Sequence, residues 1–319
     1  MLVVVALGGN AILQRGEPLE CSVQRENIRT AARSIAKLAE NHQVVLTHGN
    51  GPQVGLLALM NEAYSDVAPY PLDALGAQTQ GMIGFMFEQE LRNFMPDRKV
   101  CTVSTQTLVD PQDPAFSDPD KFVGPVYSKQ QAEELLKKNP GWAIKADGKY
   151  FRRVVPSPMP SEILELPSLR HLLSSGDITV ICGGGGGIPV KRINGKLEGV
   201  EAVIDKDRAS RVLARDIGAD ALLILTDVAA VATQYGDPAS QDIRLATPDK
   251  MDSFGFSAGS MGPKVEAANG FVRDGGKLSG IGSLEQAAEI IEGLAGTTIK
   301  AEVENEIQYY SSIEQAAGF

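Results

Sequence analysis

Two lysines and three glycine-rich loops are the parts of this sequence whose types and spacing could do chemistry. Val203-Ile204-Asp205-Lys206-Asp207 places Lys206 between two carboxylates, and Gly259-Ser260-Met261-Gly262-Pro263-Lys264 places a second lysine after a glycine-containing turn. A lysine ammonium is a compact point charge suited to phosphate oxygens. Moving a phosphoryl group rests mainly on positioning and on neutralising the charge around it. The flanking aspartates would hold Lys206 in place or help coordinate Mg2+ through water. Alone, Asp-Lys-Asp reads more readily as a solvated helix start, and Lys264 alone is unremarkable. Their weight comes from the loops they accompany.

Gly8-Gly9-Asn10, Gly49-Asn50-Gly51 and Gly183–Gly187 each follow a short apolar run. Glycine lets backbone approach a ligand closely, and N–H groups at the carboxyl end of a parallel strand, beside a helix start, attract anions. One such loop could be only a tight turn; three at strand ends point to an anion site. No GxxxxGK[ST] loop and no HRD or DFG set is present. The Gly49–Gly55 stretch misses GxGxxG by one position, and Pro52 removes an amide donor. Asn10, Asn50 and Gln53 could orient a small polar substrate, although each alone is more naturally a cap or turn residue. His48 reads as structural, Trp142 as packing in a lid, and Tyr235 as packing or a neighbour of a base. Lys121, fixed between proline and glycine in Pro119–Pro125, is a candidate lid cation.

These residues need a scaffold of buried strands. Leu2–Leu7, Val44–Thr47, Ile178–Cys182 and Ala221–Leu225 are apolar runs that fit strands covered on both faces. Between the first two, Ile28, Ala31, Ala32, Ile35, Leu38 and Ala39 recur at helical spacing. Ala209–Ile217 and Leu284–Leu294 also read as helices, and Thr297–Ile299 as a closing strand. Strand, glycine loop, helix, strand is the grammar of a parallel α/β sheet. From about residue 110 to 160 prolines interrupt the pattern, and Asp147-Gly148 suggests a hairpin, so this stretch reads as an inserted, protruding lid. Asn194-Gly195 marks a second hairpin. Residues 302–319 read as a loosely held tail, after a single domain over 1–300.

The 319 residues are 43% apolar and 22% charged, ordinary for a globular protein. A net charge of −10 repels nucleic acid and anionic lipid, and an anionic substrate would need a local positive site. Three scattered cysteines and three histidines form no zinc or disulfide pattern, which suits a reducing cytoplasmic setting. The first apolar run is too short for a signal peptide or membrane span. No metal-ligand set is expected in the chain itself.

In order along the chain, Ala6-Leu7-Gly8-Gly9-Asn10-Ala11, Thr47–Gly55, Gln80-Gly81-Met82-Ile83-Gly84, Arg152–Pro158, the glycine run through Val190, Gly199–Asp207, Leu225-Thr226-Asp227-Val228 and Gly259–Ala267 resemble the carbamate kinases of the amino-acid kinase family. The resemblance covers roughly residues 1–300. It implies a three-layer αβα sandwich around a mainly parallel, eight-stranded sheet, a protruding lid, and a homodimer. It implies reversible transfer between ATP and carbamate, giving ADP and carbamoyl phosphate, run towards ATP in catabolism, with Mg2+ held mainly by the nucleotide phosphates. On matching positions, Lys206 and Lys264 would contact the transferring group, Asp205 would organise the lysines, and Lys121 would reach in from the lid. Gly8, Gly9, Asn10, Gly49, Asn50 and Gly51 would hold carbamate or its phosphate. Thr226, Asp227, Val231 and Tyr235, with Gly183, Gly184 and Lys264, would lie at the nucleotide. Two departures fall in the lid: Phe122-Val123 stands for Pro-Ile or Pro-Val, and Asp147–Phe151 for a Gly-Arg-Gly-Trp-like stretch. They leave open a kinase of another small carboxylate or carbamate-like acceptor, or a non-catalytic sensor of nucleotide or carbamoyl phosphate.

Overall fold

Strand β1 (Leu2–Leu7) is apolar along its length because it is covered on every side. It pairs in parallel with β2 (Gln43–His48) on one edge and β12 (Ala221–Thr226) on the other. Val3, Val5 and Leu7 face one helix layer, built from α1 (Cys21–Ala39), α3 (Leu72–Phe94) and α9 (Ala287–Glu292). Val4 and Ala6 face the other, built from α5 (Leu166–Leu173), α6 (Lys206–Ile217), α7 (Pro248–Asp252) and α8 (Met261–Arg273). Alternate side chains thus feed two cores, as the period of two in a strand requires. This computed structural model describes residues 1–14, 16–64, 66–234, 239–256 and 261–311.

The sheet continues from β2 through β9 (Ile178–Ile181) to β3 (Lys99–Thr102), and from β12 through β15 (Leu278–Ser283) and β16 (Thr297–Ile299) to β14 (Asp242–Ala246). These eight strands form the expected sheet, with β16 antiparallel to β15. Two short edge strands raise it to ten, β13 (Val231–Ala232) and β17 (Ile307–Tyr309), both antiparallel to β14. The second of these corrects the expectation of an unpartnered tail. Tyr310 is buried behind it, and its hydroxyl donates to Gly296 O at 2.7 Å. Residues 312–319 lie outside the described residues.

The stretch read as a lid forms one small sheet and is flanked by a second. A four-stranded sheet joins β4 (Gln106–Val109) and β8 (Pro160–Ile163) to the hairpin of β10 (Ile188–Ile193) and β11 (Lys196–Gly199). A three-stranded one has β7 (Tyr150–Val155) between β5 (Lys121–Tyr127) and β6 (Ala143–Asp147), with α4 (Lys129–Lys138) connecting β5 to β6. Both expected turns are present: Asn194 and Gly195 take positive φ values of 50° and 80°, and Gly148 one of 62°. The guanidinium of Arg153 stacks 4.0 Å from the ring centre of half-buried Trp142. α2 (Gly51–Ala63) starts directly at the second glycine loop.

Candidate active site

Strands β2 and β12 flank β1, so their carboxyl ends open onto the point where successive connections leave in opposite directions, the usual crevice of a parallel α/β sheet. Two glycine loops meet there. Gly8 N–H donates to Leu225 O at 3.0 Å, and Gly49 N–H to Leu7 O at 3.1 Å. A β-carbon on Gly49 would lie 3.2 Å from Gly9 N, so glycine allows the two loops to touch. Among the described residues, the N–H groups of Gly9, Asn10 and Asn50 donate no hydrogen bond. The first turn of α2 adds further unpaired amides and the positive end of a helix dipole. Together these make a backbone anion site.

The five-glycine run is the floor of this crevice. All of Gly183–Gly187 are buried. Gly185 has φ +63°, and a β-carbon there would come within 2.2 Å of the Asn50 side-chain nitrogen. Asn50 in turn donates to Thr79 Oγ1 on α3 at 2.8 Å. Gly183 gives its N–H to Thr105 Oγ1 at 2.8 Å and packs against Thr47, while Gly184 packs against the His48 ring. The structure therefore places Gly183 and Gly184 under the second loop.

Lys206 opens α6 close enough to the second loop for its charge to act on His48. Asp205 caps α6, its Oδ1 accepting from Asp207 N at 3.0 Å and Arg208 N at 3.2 Å. That cap starts the helix at Lys206 rather than at the first apolar position, Ala209. Asp207 Oδ1 lies 2.5 Å from Lys206 Nζ, and Oδ2 lies 3.1 Å from Lys264 Nζ. The residue that organises the two lysines is therefore Asp207. Asp205 instead holds Lys121 of β5 at 3.0 Å. This differs from the role implied for Asp205, because the capping geometry turns its carboxylate toward β5. The bridge depends on α6 and α8 packing side by side, so the Asp-Lys-Asp string alone did not reveal it.

Burial would raise the Asp207 carboxyl, but the charges and hydrogen bonds of Lys206 and Lys264 outweigh it and hold it at about 2. Asp205 behaves alike: burial opposes, Lys121 prevails, and its carboxyl sits below the ordinary value. Lys206 is lowered, first by burial and also by the Lys264 charge, against the pull of Asp207. Lys121, Lys206 and Lys264 against Asp205 and Asp207 leave one net positive charge (three minus two) beside the anion site of an acidic protein.

Next to this cluster, Asn10 Nδ2 donates to Asp227 Oδ2 at 2.9 Å and Thr226 Oγ1 to Asp227 Oδ1 at 3.0 Å. Asn10, Thr226 and Asp227 line a cavity of about 430 Å³ together with Asn27, Ser283 and Glu285. Val231 is buried, its N–H donating to Thr297 Oγ1 at 2.8 Å. Tyr235 lies outside the described residues, as do Gly259 and Ser260 before Lys264. Among the described residues no group of three or more His, Cys, Asp or Glu side chains is placed to hold a metal ion.

Residues 1–281 match the model of the amino acid kinase family. The chain is 50% identical over 313 residues to the carbamate kinase of Haemophilus influenzae, covering 98% of this chain and all of that protein. It is 52% identical over 305 residues to the carbamate kinase of Rhizobium meliloti, covering 94% of each. Among solved structures, carbamate kinase from Giardia lamblia bound to AMP-PNP superimposes with a TM-score of 0.88 at 44% identity, covering 94% of this chain and 98% of that one.

Proposed function

The chain belongs to the amino acid kinase family, and on that premise we propose that it interconverts ATP and carbamate with ADP and carbamoyl phosphate, as a carbamate kinase. The observation that carries this reading is the Asp207 bridge, which holds two partly exposed ammonium groups on one carboxylate, in a chain whose glycine loops leave backbone amides free. The amides of Gly9, Asn10 and Asn50 cradle the carbamate and the phosphoryl oxygens. Lys206 and Lys264 neutralise the charge on the group in flight, and Lys121 approaches from β5. With so little covalent work for the protein, positioning and charge carry the catalysis. The match to the Haemophilus influenzae carbamate kinase, 50% identical and spanning 98% of the chain, favours carbamate over another acceptor.

The nucleotide lies along Thr226 and Asp227, with Lys264 at its phosphates, whereas Val231 is enclosed in the core. Asp205 and Asp207 are both engaged by lysines, so Mg2+ fits as an ion carried on the nucleotide phosphates rather than caged by the protein. When bound there it neutralises phosphate charge. Net flux towards ATP in catabolism follows from the family resemblance. Cys21, Cys101 and Cys182 are all free, which supports a cytoplasmic setting; no described helix is long and apolar enough to cross a membrane. A homodimer is supported by the exposed apolar side chains Leu59, Met60, Tyr64, Val67 and Tyr70. The reaction is tested by measuring ATP formed from carbamoyl phosphate and MgADP; no ATP from pure, folded protein would overturn it. A monomeric mass by light scattering would remove the dimer.

A further inference from the structure

We propose that His48 is a positioning residue for this reaction: its ring fixes the Gly49–Asn50 peptide so that the Asn50 N–H faces the transferring group. Only the identity of the anion rests on the carbamate kinase reading. His48 ends β2, opposite Leu7, and is 1% exposed. Its Nδ1 lies 2.9 Å from Gly49 O. A carbonyl oxygen has no proton to give, so Nδ1 carries the ring hydrogen and donates it. The peptide that follows is planar and trans, so its C=O and N–H point in opposite directions. With the Gly49 carbonyl turned onto the buried ring, the Asn50 N–H turns outward, where it has no partner among the described residues.

The ring itself cannot drift. It stacks on Phe87 with centroids 6.1 Å apart, and a β-carbon on Gly184 would sit 2.6 Å from Nε2. The glycine run thus leaves a slot for this imidazole. Burial, against the Gly49 bond and with help from the Lys206 charge, pulls the ring down to about 4, so it stays neutral near neutral pH. A neutral ring with Nε2 bare keeps one tautomer and hence one peptide orientation.

The test compares two polar replacements. His48→Asn places an amide NH2 where Nδ1 stands, whereas His48→Gln reaches toward Nε2 and misses the carbonyl. We expect His48→Asn to keep kcat/KM for carbamoyl phosphate within about threefold and His48→Gln to lose on the order of tenfold to a hundredfold, the scale of one misplaced oxyanion donor. KM for MgADP should hold in both. Equal losses in the two variants, or losses that follow KM for MgADP, would overturn the proposal. Nitrogen-15 NMR of the native ring needs neither variant nor substrate: it should show a protonated Nδ1 and a bare Nε2, and the opposite tautomer overturns the proposal. If the native enzyme made no ATP from carbamoyl phosphate, the substrate reading would fail alone. The His48 role would then be decided by the ring tautomer and by whether inorganic phosphate shifts the Asn50 amide signal.

Discussion

Lys264 on α8 donates to Asp207 Oδ2 on α6 at 3.1 Å, across 57 residues of chain. The other oxygen of the same carboxylate holds Lys206, so one buried anion keeps two like charges close together. Removing only that anion should be costly in two ways. Asp207→Asn preserves shape but leaves two partly buried cations facing each other, and we expect a loss of about 3 kcal/mol by urea unfolding. Turnover should fall about a hundredfold or more, because the lysines no longer share a fixed position. Stability equal to the parent would show that the bridge carries no charge balance.

The lysines should respond differently. Burial already penalises the Lys206 ammonium and Lys264 remains on Asp207, so Lys206→Met should cost less stability than Asp207→Asn while lowering kcat by about a hundredfold or more. Lys121 is 41% exposed, and its pair with Asp205 is worth at most about 1 kcal/mol. Lys121→Met should leave the melting temperature in place and act mainly on KM for carbamoyl phosphate. Melting curves beside steady-state kinetics read both effects; a Lys206→Met enzyme with native kcat would remove that residue from the chemistry.

Most of the sheet was legible because its strands are buried on both faces and so appear as unbroken apolar runs. The loops were legible because glycine is visible at strand ends. What escaped depended on packing between distant segments. Ile307–Tyr309 is too short to read as a strand until β14 offers it an edge. Asp205 and Asp207 are equivalent neighbours in sequence; the capping bonds and the position of α8 separate their tasks. The five glycines looked like ligand-contacting backbone, yet they are buried against Thr47, His48, Asn50, Ile204 and Thr107, and their small size serves those contacts.

That last point predicts an asymmetry between two glycines of similar dihedral. Gly185→Ala adds a methyl at φ +63° and drives it into the Asn50 amide, whereas Gly195→Ala adds one at φ +80° with nothing within 4 Å. The hairpin variant should lose about 1 kcal/mol, the strain of a left-handed alanine. Gly185→Ala should lose clearly more, about 3 kcal/mol, and should also raise KM for carbamoyl phosphate as Asn50 is displaced. Similar losses in the two would mean that the floor yields freely.

Acidification should destabilise the protein in two separable steps. A histidine ordinarily titrates at 6.5, but His48 in the fold holds out to about 4, so between these values the unfolded chain binds the proton first. Stability must then fall as pH drops from 6.5 to 4, by about 3 kcal/mol for a fully buried ring. Asp207 has the opposite chemistry and the same sign. Its carboxyl lies at about 2 against an ordinary 3.8, so the stability from its lysine pairs is complete above 3.8 and is lost as pH falls toward 2. Urea unfolding across this range should show both slopes. His48→Asn should flatten the upper one, leaving only a smaller share from His42, which burial also lowers. Asp207→Asn should reduce the lower one and leave the upper one in place, the remainder coming from Asp205 and other carboxyls that lysines hold low. If His48→Asn left the upper slope unchanged, the ring would not be the group whose protonation unfolds the site.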